Sequence, residues 1–129
     1  MSGPLLDRID MHVEVPAVAY HEISSEEAGE SSEAIRSRVL AARERQHARS
    51  GGCGSNARIP ARLLRTHCAL DAAGRRLMEA AVTKLGLSAR AHERVLKVAR
   101  TIADLAGAER ITKDHLAEAI QYRALDRAR

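Results

Sequence analysis

Residues 87–107 read LSARAHERVLKVARTIADLAG, and this stretch decides the fold. Ala91, Val95, Val98, Ala99, Ile102, Leu105 and Ala106 recur at helical spacing and form one wide apolar stripe. Ser88 stands where an N-cap belongs and Gly107 where a helix ends. The spacing predicts a long core helix, with Arg94, Lys97 and Arg100 on its solvated side. A helix with one apolar stripe needs other elements to cover it.

The flanking segments supply them. Thr112 caps a helix over KDHLAEAIQYRAL that points Leu116 and Ile120 inward. On the other side, Asp71 caps a helix whose Met78, Ala81, Val82 and Leu85 fall on one face, with Gly86 as its left-handed stop. Pro60 suits the first turn of a short helix ending near Cys68. Ser31 or Ser32 caps a further helix to about Arg49, with Ile35, Val39 and Ala42 on the inward stripe. The intervening SGGCGSN, residues 50–56, reads as a flexible loop and the chief candidate for disorder. The expected fold is all-α, a bundle of four to five helices over residues 31–129. With no Phe or Trp and only Tyr20 and Tyr122, its core must be built from Leu, Ile, Val, Ala and Met.

The beginning of the chain does not fit a bundle. Residues 11–15 read MHVEV, which puts Met11, Val13 and Val15 on one face and His12 and Glu14 on the other until Pro16 ends the run. This is a strand signal with no evident partner strand in the chain, and a lone strand leaves its backbone groups unpaired. Residues 1–16 are therefore expected to be the end of a truncated α/β core, an orphan strand segment whose sheet lies elsewhere. Residues 17–30, rich in Ser and Glu, read as a mobile linker, residues 1–30 as loosely ordered, and the tail DRAR as frayed.

Charge divides the chain in the same place. Residues 1–33 carry eight acids and one base, a net −7, whereas residues 34–129 carry nine acids and twenty bases, a net +11. The densest basic patch runs from Arg36 to Arg65, with eight arginines and one acid, Glu44. Arg36, Arg43, Arg45 and Arg49 on this face are candidates for nucleic-acid contact, against the alternative of an ordinary solvated surface. The scarcity of aromatic side chains argues against a single-strand stacking platform.

Several chemistries are excluded. Cys53 and Cys68, with His47 and His67 near them, lack the paired spacing of a zinc site, so no metal is expected. No apolar run approaches the length of a membrane span, and no secretory segment is present, which suggests a cytoplasmic protein with reduced thiols. There is no G-x-x-x-x-G-K-[ST] loop, so this chain alone should not hydrolyse a nucleotide. The six histidines read as surface residues. Two arginines stand out. Arg90 falls in the first turn of the 88–107 helix, where the helix dipole disfavours a cation and favours an anion. Arg8 lies between Asp7 and Asp10, which could hold it and aim it at a transferring phosphoryl group.

Three blocks carry a resemblance: SGPLLDRIDMHVEVP, LSARAHERVLKVARTIADLAG and ITKDHLAEAIQYRALDR. Together they resemble the C-terminal third of the magnesium chelatase-like AAA+ ATPases. The resemblance implies that residues 31–129 are the helical lid that follows a nucleotide-binding core, with Met11 to Val15 the last strand of that core. It implies that Arg8 is an arginine finger acting across a subunit boundary, and that Arg90 is the sensor 2 arginine that contacts nucleotide phosphates. It further implies that the full-length protein uses ATP and Mg2+, assembles a ring with neighbouring subunits, and acts as a helicase or branch-migration motor on DNA. A self-standing basic helical module that binds nucleic acid is the alternative function.

Overall fold

In the computed structural model, residues 5, 8–24, 29–52 and 54–123 are described. Among them are six α-helices: α1 (Tyr20–Ile23), α2 (Ser32–Ser50), α3 (Leu64–His67), α4 (Ala72–Leu85), α5 (Ala89–Leu105) and α6 (Lys113–Gln121). Short 3-10 turns at Asn56–Arg58 and Ala61–Leu63 link α2 to α3. The expected caps are in place. Ser31, Asp71 and Ser88 accept hydrogen bonds from the N–H groups of Ala34, Gly74 and Ala91 at 3.1, 2.7 and 3.1 Å. Each offsets one of the unpaired donors of a helix start. Gly86 and Gly107 adopt φ of 62° and 72°, the left-handed region that a side chain disfavours.

Helix α5 is the centre. It packs against α6, α2, α3 and the 56–58 turn, while α4 closes on α6 from the other side. Ala91, Val95, Ala99 and Ala103, each four residues from the last, are at most 1% exposed, and Leu116 of α6 is fully buried against the same core. Small residues along α5 let the neighbouring helices approach closely.

The buried face of α5 is rotated from the one the apolar stripe predicts. Leu105, expected inside, is 43% exposed, whereas Arg100 and Asp104 are 4% and 1% exposed. Arg100 therefore does not belong to a solvated side. Helix α2 also departs from expectation: Ile35 and Val39 are 44% and 42% exposed, and the helix buries Ala42 and Gln46 instead. Only its C-terminal half touches the bundle core.

Residues 11–15 form no ladder with any described residue. Val13 and Val15 are 63% and 81% exposed. His12, expected to face outward, is the buried member of the run at 9%. The one backbone hydrogen bond that fastens it runs from the His12 N–H to the Tyr122 carbonyl at 2.6 Å. The acidic linker contains the single turn α1, which buries nothing. Residues 1–4, 6–7, 25–28, Cys53 and residues 124–129 with the DRAR tail, and the readings made for them, lie outside the described residues.

Candidate functional site: two exposed arginines beside a buried guanidinium network

Arg90 occupies the second residue of α5, just after the Ser88 cap, and is exposed. No hydrogen bond or ion pair joins its side chain to a described residue. Its charge lies beside the open N–H groups of the helix start, an arrangement that suits an anion. Arg8 is likewise exposed, and its backbone N–H donates to the Leu5 carbonyl at 3.1 Å. Asp10 does not hold it. That carboxylate is taken by Arg94, one turn further along α5 than Arg90. Asp7, the other expected partner, lies outside the described residues. Arg8 is thus a cation without an ion pair among the described residues, on a backbone that is itself anchored.

The remaining arginines near α5 are engaged. Asp104 receives both Nη atoms of Arg49 at 3.0 and 2.5 Å and Asn56 Nδ2 at 2.9 Å. Arg100 Nη2 lies 3.2 Å from the same carboxylate. Arg49 also donates to Asn56 Oδ1 at 2.8 Å, and Asn56 Nδ2 reaches Thr101 Oγ1 at 3.0 Å. Arg100 spends its Nη atoms further on the carbonyls of Glu109 and Ala108, both at 2.9 Å. Burial pulls the Arg100 pKa down, and the neighbouring Asp104 carboxylate opposes that fall. Two guanidinium groups converging on one buried carboxylate clamp α2, the 56–58 turn and the 108–109 turn to α5.

Arg49 is therefore drawn inward, while Arg36, Arg43 and Arg45 stay on the exposed face of α2. Arg38 of that face is paired with Glu30. Lys97 donates to the Ala57 carbonyl at 3.1 Å and so also ties α5 to the loop. The SGGCGSN loop is likewise restrained, since Ser50 Oγ meets both the N–H and the carbonyl of Gly54 at 3.2 Å. A groove of about 680 Å³ borders the network, lined by Arg49, His67, Asp71, Arg100, Glu109 and Arg110. Its cations are nearly matched by Asp71, Glu109 and the adjacent Asp104, so it lacks the excess charge of an anion site. Among the described residues no group of His, Cys, Asp and Glu could hold a metal, and no helix is long and apolar enough to cross a membrane.

Cys68 is 2% exposed, and burial pushes its thiol from 9.0 up to about 11, partly opposed by Arg100 and Arg49. The unfolded thiol ionises first, so the stability tied to the protonated thiol is full below pH 9.0 and is lost as pH rises toward about 11. Unfolding in urea should show stability falling by at most about 1.4 kcal/mol per pH unit across that window. Cys68→Ala should remove this part of the slope, and an unchanged slope would contradict it.

The geometry can be compared with known proteins. Residues 29–123 match the family described as Magnesium chelatase, subunit ChlI C-terminal. The chain is 44% identical over 128 residues to YifB of Salmonella typhimurium, covering 98% of this chain and 25% of that protein. It is 43% identical over 128 residues to the competence protein ComM of Haemophilus influenzae, with the same coverage. A more distant relative, Mb2921c of Mycobacterium bovis, is 36% identical over 125 residues, which are 95% of this chain and 25% of that protein. The chain spans about a quarter of the length of the curated relatives it matches.

Proposed function

Because the chain belongs to the magnesium chelatase subunit ChlI C-terminal family, we propose that it is the helical lid and arginine-finger segment of a longer AAA+ ATPase. In this reading the full-length protein works in the cytoplasm, assembles a ring, and couples ATP hydrolysis to remodelling of DNA. The observation that carries it is the place of Arg90 in the first turn of α5, beside the open N–H groups that follow the Ser88 cap. Arg49, Arg94 and Arg100 are consumed by internal partners, whereas Arg8 and Arg90, like Arg36, Arg43 and Arg45 of α2, stay exposed without an ion pair to a described residue. A cation kept unpaired beside anchored structure suits an anionic ligand that another part of the assembly brings.

ATP and Mg2+ would be held chiefly by the core that precedes the lid, and hydrolysis there supplies the energy. For that site Arg90 offers its guanidinium fork together with the N-terminal N–H groups of α5. Arg8 offers a charge to the phosphoryl group on a neighbouring subunit, where it is most effective as negative charge develops. The competence role in the name of the Haemophilus influenzae relative supports DNA as the substrate, and the exposed Arg36, Arg43 and Arg45 of α2 suit contact with its phosphates.

The test is Arg90→Ala in the full-length protein, with ATP turnover and DNA strand displacement measured together. Turnover should fall about 10²-fold, the scale set by removing one preorganised donor, and displacement should fall with it. Full turnover by an assembled ring would sink the assignment of Arg90.

A further inference from the structure

Three contacts fasten the chain immediately after Arg8 to the bundle. The Ile9 carbonyl accepts from Arg123 Nη1. Asp10 forms an ion pair with Arg94, and the His12 N–H donates to the Tyr122 carbonyl at 2.6 Å. These contacts come from two different helices: Arg94 is on α5, while Tyr122 and Arg123 immediately follow α6. Arg123 is wholly buried, so its end of the grip is set by packing. The gripped residues 9, 10 and 12 belong to a segment with no sheet partner in the described chain, and Arg8 precedes them directly.

We propose that Arg94, through Asp10, is a positioning residue that fixes Arg8 relative to Arg90, so that finger and sensor are carried as one body. This rests on the reading of Arg8 as the arginine finger. Arg94 lies one helical turn from Arg90, and its partner Asp10 lies two residues from Arg8. The path between the two exposed arginines therefore runs through one helix turn, one ion pair and two peptide units. Without the pair, the Ile9 bond to Arg123 and the His12 bond to Tyr122 still tether the segment, but the Asp10 side is released and Arg8 samples a wider range of positions. A catalytic charge displaced by about 1 Å loses much of its effect.

Exposure separates this role from a structural one. The side chains of Arg94 and Asp10 are 30% and 48% exposed, and ion pairs this accessible contribute little to folding. Arg94 should thus matter for turnover far more than for stability.

The experiment uses the full-length protein with ATP as substrate. Arg94→Ala and Asp10→Asn should each lower kcat by about tenfold to hundredfold, while the KM for ATP and the thermal midpoint stay near wild type. The exchanged pair, Arg94→Asp with Asp10→Arg, should recover most of the loss. In the Arg8→Ala background, adding Arg94→Ala should cost nothing more, because the residue acts through Arg8. If Arg8→Ala stops turnover but Arg94→Ala keeps full kcat, or if the two losses multiply, positioning is overturned and the finger stands. If Arg8→Ala itself retains full turnover, the finger reading fails and this inference with it.

Discussion

Asp104→Ala is expected to remove about 3–5 kcal/mol of folding stability, because it strips the partner from two guanidinium groups in the interior. Arg100 is 4% exposed, and the Arg49 side chain is 17% exposed, so neither can recover full hydration without moving its element. Asn56 loses an acceptor as well. The cost arises from uncompensated charge and not from the intrinsic strength of the cluster. It follows that Asp104→Leu combined with Arg49→Met and Arg100→Met should be far milder than Asp104→Ala alone, since no charge is left stranded. Urea unfolding of the 129-residue chain checks both variants. A loss below about 1 kcal/mol for Asp104→Ala would show that water reaches the guanidinium groups and that the cluster is only a surface pair.

The second large effect follows from the proposed reading of Arg8 as an arginine finger in a ring of subunits. In the full-length protein, Arg8→Ala should lower kcat by about 10³-fold or more, the range expected when a finger arginine is removed. Binding of ATP should change little, because the charge is needed most as the phosphoryl group transfers. Mixing makes the subunit boundary visible. Rings of Arg8→Ala subunits alone should be inactive, as should rings whose own nucleotide sites are disabled. Mixed rings should regain turnover, since a disabled subunit still offers its Arg8 to an intact site next door. Mixed rings that stay silent, with assembly confirmed, would contradict action across the boundary.

Helices α2, α4, α5 and α6 were legible because each is written locally, whereas the turn α1 lies in a stretch read as linker. Ser31, Asp71, Ser88 and Thr112 cap where their types and neighbours predict, as the hydrogen bonds at each helix start show. What stayed hidden depends on partners distant in sequence. Nothing around Asp104 says that Arg49, 55 residues earlier, will meet it. A periodicity reading assigns charged residues to the outside, so it placed Arg100 in solvent and Leu105 in the core, the reverse of what is found. The exposed Ile35 and Val39 follow from the same blindness, because α2 is gripped through Ala42, Gln46 and Arg49 at its far end. Gln46 accepts from the Asn56 N–H at 3.0 Å, and a polar residue in a polar run gives no sign of that. Of the candidate site, the exposure of Arg90 follows from its place off the apolar stripe that begins at the buried Ala91. The pairing of Asp10 with Arg94, and not with Arg8, was invisible because it joins residues 84 apart.

Helix α2 has nineteen residues, and at about 1.5 Å per residue it is roughly 28 Å long. Its grip on the bundle runs from Ala42 to Arg49, so mechanically its first ten residues, about 15 Å, form a lever with its fulcrum near Ala42. A tilt of about 10° there carries Ser32 through about 3 Å, by the helical rise alone. A small tilt about that pivot would thus reach the linker as a stroke of a few ångströms. The Arg49 to Asp104 clamp sets how stiffly that stroke is delivered.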